Sequence, residues 1–213
     1  MTKSSLRMLA ALLPLATGVV VVPEAMATPR YKHLSRPRPV VNTKTQAQVE
    51  AAVRTLIDGY EPLDVEHGIA QIGPAAADVL LRIIREPSTP ELIRLRAVEA
   101  LGYAPTPAGQ AFLRETVAKI GTVDDERVFT LAAALRALGG FGASELPSVS
   151  LFLEHASPIV REAAAAGMAQ MRTDPVLPAL QRRLAVERDS GVQETLKGAI
   201  SRMAAAPGQG IKR

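Results

Sequence analysis

One pattern returns five times along the chain and restricts it to a fold built by stacking. Residues 64–73 read DVEHGIAQIG, 93–102 IRLRAVEALG, 130–139 TLAAALRALG, 160–169 VREAAAAGMA and 192–201 VQETLKGAIS. Each segment ends on a small residue: Gly73, Gly102, Gly139, Ala169 and Ser201, at intervals of 29, 37, 30 and 32 residues. Every segment but the last is followed by a breaker and a second apolar stretch, at 74–86, 107–120, 143–155 and 174–187. The polar stretch Gly121-Thr122-Val123-Asp124-Asp125 accounts for the one long interval. Apolar residues recur at three and four, as in Leu92, Leu95 and Ala97, Leu101, and nothing after Lys44 alternates with period two. A single helical hairpin cannot bury its apolar stripe alone, so hairpins of this kind must stack and share a core. The expected architecture is all-α, an α-solenoid of about five stacked helical hairpins.

Local chemistry supports the boundaries. Pro74, Pro107 and Pro175 stand at or near first-turn positions, where a missing N–H costs nothing. Asp64, Ser157 and Asp174 are expected N-caps, and Thr45 to Ile57 reads as an opening helix that caps the array. Heavy use of alanine favours helix and lets helices approach closely. Gly139-Gly140-Phe141-Gly142 follows a helix rather than a strand, so it reads as a helix end and turn, not a phosphate loop.

Val160-Arg161-Glu162-Ala163-Ala164-Ala165, followed by Asp174-Pro175-Val176-Leu177-Pro178-Ala179-Leu180, resembles the HEAT family, and within it the short repeats typified by phycobilin lyases. Ala97 to Gly102 and Ala137-Leu138-Gly139 carry the same first-helix pattern; residues 64–86 and 188–203 carry it loosely. The resemblance implies a HEAT-like or ARM-type superhelix over most of residues 60–203. It implies little about activity, which must be argued from a site.

Some HEAT-like proteins are enzymes. In deoxyhypusine hydroxylase, repeated His-Glu pairs hold two irons seven and six residues before the repeat glycine. Here that position holds Glu66-His67 in reversed order, then Leu95-Arg96, Ala132-Ala133 and Glu162-Ala163. Three histidines in all cannot fill repeated ligand positions, so His67 and His155 read as surface or turn residues. There is no cysteine to serve as nucleophile or thiolate ligand, and no G-x-S-x-G, Walker or G-x-G-x-x-G motif. Asp124-Asp125-Glu126 reads as an acidic first turn that complements a helix dipole. No catalytic residue, metal or cofactor is expected.

The first 27 residues read as a secretory signal: Lys3 and Arg7, an apolar stretch from Met8 to Val22, then the small-x-small triplet Ala25-Met26-Ala27. At 1.5 Å per residue the apolar stretch is too short to cross ~30 Å of hydrocarbon, and Pro14 interrupts it. Residues 28–44 hold five basic residues, three prolines and no acid, and read as a basic, disordered linker. Residues 45–206 form the expected repeat domain, and 207–213 a flexible tail. The formal charge of +4 comes from 25 basic and 21 acidic residues. Within 45–206 the balance reverses, to 16 basic and 20 acidic. An acidic core argues against a nucleic-acid partner. The basic tails permit contact with an anionic membrane, though solubility explains them as well.

A periplasmic or secreted, non-enzymatic scaffold that binds another protein of the bacterial envelope is therefore expected. The rival reading is an accessory subunit, or an enzyme whose pocket carries no motif. In HEAT arrays the second helices line the concave face. The residues expected to meet a partner are Arg82, Arg85, Arg114, Arg182 and Arg183, whose planar forks suit an acidic peptide or loop. The export signal predicts a mature chain starting at Thr28. N-terminal sequencing of the exported protein checks this, and a retained Met1 would refute cleavage.

Overall fold

The computed structural model describes residues 45–59, 64–120 and 127–205. The expected export signal, basic linker and C-terminal tail, and the Gly121–Asp125 stretch with Glu126, lie outside the described residues. The helices fall within one compact unit, Thr43–Arg213.

Ten α-helices follow one another, with no strand among the described residues. They are α1 (Gln46–Asp58), α2 (Val65–Ile72), α3 (Ala75–Arg85), α4 (Glu91–Ala100), α5 (Pro107–Ile120), α6 (Val128–Gly139), α7 (Leu146–Ser150), α8 (Pro158–Met171), α9 (Val176–Val186) and α10 (Ser190–Ala204). The five repeated segments are α2, α4, α6, α8 and α10, here called first helices. The apolar segments after them are α3, α5, α7 and α9, the second helices. First helices pack on one another in chain order from α4 through α6 and α8 to α10. The fold is the all-α solenoid that the repeat requires.

Helix starts follow their sequence signals with two exceptions. Thr45 closes a capping box with Gln48, and Asp64 accepts from the His67 N–H at 2.9 Å. Asp189 accepts from the N–H groups of Gly191 and Val192 and starts α10. Ser157 sits at the N-cap of α8, but its side chain makes no capping bond. Asp174 is not a cap: α9 starts one residue later, with Pro175 at the N-cap position.

The third second-helix departs from expectation. Residues 143–155 do not form one α-helix. A 3₁₀ turn at Ala143–Glu145 leads into the short α7, and a second 3₁₀ turn follows at Leu151–Glu154. Pro147 offers no N–H to carry the α-ladder across the first turn. The Ser150 hydroxyl donates back to the Pro147 carbonyl at 3.2 Å, the kind of local bond that competes with the helix.

Small residues set the spacing of the first helices. A Cβ on Gly102 would lie 2.7 Å from the Ala137 carbonyl oxygen. A Cβ on Gly139 would collide with the Gly167 carbonyl, and one on Gly167 with that of Leu135. Around these contacts Ala132, Ala133, Ala134, Ala163, Ala164 and Ala165 are all buried. Helix α6 is apolar nearly all round because α4, α5 and α8 all pack on it. Gly167→Ala should lower stability by about 1–3 kcal/mol, since its neighbour is backbone and cannot swing away. Denaturant unfolding with far-UV circular dichroism tests this; an unchanged midpoint would show that the helices can separate without loss.

Candidate protein-binding face

The second helices carry charge, and most of it is already engaged. Glu50 of α1 accepts from Arg82 of α3 at 3.0 Å, and Arg54 of α1 lies 3.7 Å from Glu86 at the end of α3. Arg114 of α5 grips Glu145, at the start of the third second-helix segment, through Nε (3.1 Å) and Nη2 (2.6 Å). Arg183 of α9 reaches back to Glu154, just beyond α7. Ion pairs therefore join α1 to α3, α5 to the α7 segment and that segment to α9.

Two carboxylates are buried, Glu145 completely and Glu187 nearly so. Burial pushes the Glu145 carboxyl up, but hydrogen bonds from Arg114, Gln110 and Ser144, with the Arg114 charge, hold it below its ordinary value. Glu187 follows the last turn of α9. It accepts from Arg161 of α8 twice at 2.8 Å, from Arg183 at 3.1 and 2.8 Å, and from the N–H groups of Arg188 and Asp189 at 2.9 Å. The Arg161 bonds are the chief reason its carboxyl is held far below the ordinary range; burial opposes them and the other donors add to them.

A second tie is repeated along the array. Eight residues before the small residue of their repeats stand Arg94, Arg161 and Gln193. Each donates to the linker just before its own helix: Arg94 to the Thr89 carbonyl, Arg161 to those of His155 and Ala156, Gln193 to that of Glu187. These bonds run from 2.7 to 2.9 Å and satisfy linker carbonyls that lie outside the helical ladders. Arg96 does the same for Ile57 and Gly59 at the end of α1.

The five arginines expected to meet a partner thus divide. Arg82, Arg114 and Arg183 are spent on neighbouring segments. Arg85 and Arg182 are exposed and have no hydrogen-bond or ion-pair partner among the described residues, although the charge of Arg85 is felt at Glu115 of α5. Leu151 and Val186, 75% and 62% exposed, lie one turn from Glu154 and Arg183 on the same helical segments. Sequence reasoning named the arginines but could not pair them across the array, because the carboxylates that Arg82, Arg114 and Arg183 reach on other segments lie 29–32 residues away. The signal that was available is the Arg161 of the V-R-x-A pattern, whose role in the linker the sequence reading did not draw out.

The histidines are accounted for locally. His67 is exposed and contacts Gln71, four residues on, at 2.7 Å. The His155 Nδ1 accepts from the Ser157 N–H at 3.0 Å. Among the described residues no three His, Asp or Glu side chains converge as a metal site would require. A surface dimple between α4, α6 and α8 is lined by Glu99, Tyr103, Arg136 and Gln170 and is too shallow to enclose a ligand. Burial, with the charges of Glu99 and Glu66, pushes the Tyr103 phenol up.

Glu187→Gln should cost about 3–5 kcal/mol at pH 7, because it breaks a buried ionic network. An unfolded glutamate binds its proton near pH ~4.3, well above the pH at which folded Glu187 does. Wild-type stability from this group is therefore complete at neutral pH and drains away as pH falls through about 5 and below. The gap between wild type and variant should narrow from pH 7 to pH 3. Urea unfolding across that range measures it, and a gap independent of pH would contradict the network.

Comparison with known proteins agrees with this arrangement. A family model described as HEAT repeats matches residues 117–201, from the end of α5 into α10. No curated protein matches the chain. Among solved structures, a chain in the complex of CpcE and CpcF of phycocyanin lyase from Nostoc sp. PCC7120 is similar in fold. It is 20% identical, with a TM-score of 0.50, over 70% of this chain and 98% of that one. Residues 117–201 thus match HEAT repeats, and the stacking of first helices from α4 to α10 gives the described residues the corresponding all-α solenoid fold.

Proposed function

We propose that the protein is an exported, non-enzymatic HEAT-repeat scaffold that binds another protein of the bacterial envelope across its second helices, taken as the concave face. The observation that carries this reading is the division of the arginines. Three hold the array together, while Arg85 on α3 and Arg182 on α9 stand exposed with no bonding partner among the described residues. Two fixed cations on separate second helices suit a partner that lies across several repeats and offers carboxylates. The signal-like pattern of residues 1–27 supports an encounter in the periplasm or outside the cell. The fold neighbour is one chain of a complex between two proteins, which supports a protein as the partner. That neighbour belongs to a lyase, which favours, as a second reading, an accessory subunit of an enzyme.

The test is recovery of the native partner from envelope extracts with the tagged protein, followed by quantitative binding. Arg85→Ala with Arg182→Ala should weaken binding by about 2–6 kcal/mol if both contacts are charge-assisted, with the effect shrinking as salt rises. Thermal stability should barely change. Arg114→Ala should instead lower stability, since it strips Glu145 of its cation. A partner whose affinity ignores Arg85 and Arg182 at low salt would defeat this reading of the face.

A further inference from the structure

The glutamates divide by helix class. Those of α1 and of the second-helix segments, Glu50, Glu86, Glu115, Glu145, Glu154 and Glu187, are all in ion pairs. Glu66, Glu91, Glu162 and Glu194 have no ion-pair or hydrogen-bond partner among the described residues, and all four lie on first helices: α2, α4, α8 and α10. The glutamates of the second-helix segments are used internally; on the first helices Glu99 pairs with Arg136 and four glutamates are left over.

Their placement is regular. Seven residues before the repeat's small residue, the five first helices carry Glu66, Leu95, Ala132, Glu162 and Glu194 in turn. The row is acidic on α2, α8 and α10, while its middle members, on α4 and α6, turn toward the core: Leu95 is half-buried against it and Ala132 is buried. Three residues earlier the same two helices carry Leu92 and Phe129, 58% and 56% exposed. These two are neighbours by register: Glu99 and Arg136 stand seven residues further along α4 and α6 and approach to 4.0 Å. Seven residues is two helical turns, so Leu92 and Phe129 share that face. Large exposed apolar side chains gathered at one repeat position are unlike the scattered single residues of an ordinary surface. Of the bases on the strip, Arg136 faces Glu99 and Arg127 is already engaged.

We infer that the first-helix face is a second docking surface, with Leu92 and Phe129 as its apolar centre and Glu66, Glu91 and Glu162 as its acidic border, and that it takes an amphipathic segment of a partner protein with apolar residues in the middle and basic residues at both ends. Charge complementarity selects that occupant. An acidic segment would meet carboxylates with no cation to offset them, and an anionic membrane would be repelled in the same way. With helices packed ~8–10 Å apart, three steps from α2 to α8 are spanned by roughly eight or nine extended residues at ~3.3 Å each.

Two synthetic twelve-residue peptides test the assignment on the full chain by fluorescence anisotropy. One carries leucines at its centre and lysines at both ends; the other replaces the lysines with glutamates. The lysine peptide should bind, and the glutamate peptide should bind at least about tenfold more weakly at low salt. The triple variant Glu66→Gln, Glu91→Gln, Glu162→Gln should erase most of that preference and its salt dependence. Leu92→Ala with Phe129→Ala should weaken the lysine peptide at every salt concentration. All the changed side chains are exposed except the half-buried Glu162, and circular dichroism confirms that each variant keeps its helicity. Arg85→Ala with Arg182→Ala should leave the lysine peptide unaffected, so failure here is separable from failure of the second-helix reading. Equal affinity for the two peptides, or binding that ignores both variant sets, would overturn the proposal.

Discussion

Everything in this array depends on how close the first helices can come. At Gly102, Gly139 and Gly167 the backbone of one helix touches the backbone of the next, where any side chain would intrude. That approach leaves little room between helices, so the residues filling it are alanines, and the larger Leu135, Leu138 and Met168 pack around them. A core of this kind gains stability from many short dispersion contacts rather than from a few large side chains. The chain has only seven aromatic residues and no tryptophan, and packing this close gives it no need of more.

Close first helices leave the second helices and linkers to be fixed by other means, and there the chain uses arginine. Arg94 and Arg161 tie linkers to the helices that follow them, while Arg82 bridges α3 to α1 and Arg114 and Arg183 bridge successive second-helix segments. The planar fork lets one side chain serve several acceptors at once; Arg161 holds a carboxylate and two carbonyls together. An array held at one edge by backbone contact and at the other by ionic forks has two chemically different seams, and its two faces inherit different surplus charge. Arginine remains over on the second helices and glutamate on the first.

The repeat itself was legible from the sequence because its signal is local. Periodicity at three and four, glycine at the helix ends and proline at the starts placed the described helices to within a few residues of their limits. The α7 segment was not legible, because the apolar spacing of residues 143–155 is helical while Pro147 and Ser150 favour a tighter turn. The candidate face was legible only by residue type. Arg114 and Arg182 look alike along the chain, and what separates them is whether a carboxylate from another repeat arrives beside them. Glu145 does so for Arg114. The acidic rows of the first helices were equally hidden, since unpaired charge is a property of the assembled array.

Glycine serves this chain in two unrelated ways. Gly139 and Gly167 have ordinary helical backbones, and what they lack room for is an atom. Gly73 and Gly142 have open space around them, but their dihedrals, φ 78 with ψ −157 and φ 81 with ψ −161, lie where L-residues almost never go. Reflected through a mirror, those two conformations become ordinary extended backbone, the natural territory of a D-amino acid. The two corners therefore demand handedness rather than smallness. At Gly139 and Gly167 the demand is for volume, and a change of chirality does nothing to meet it.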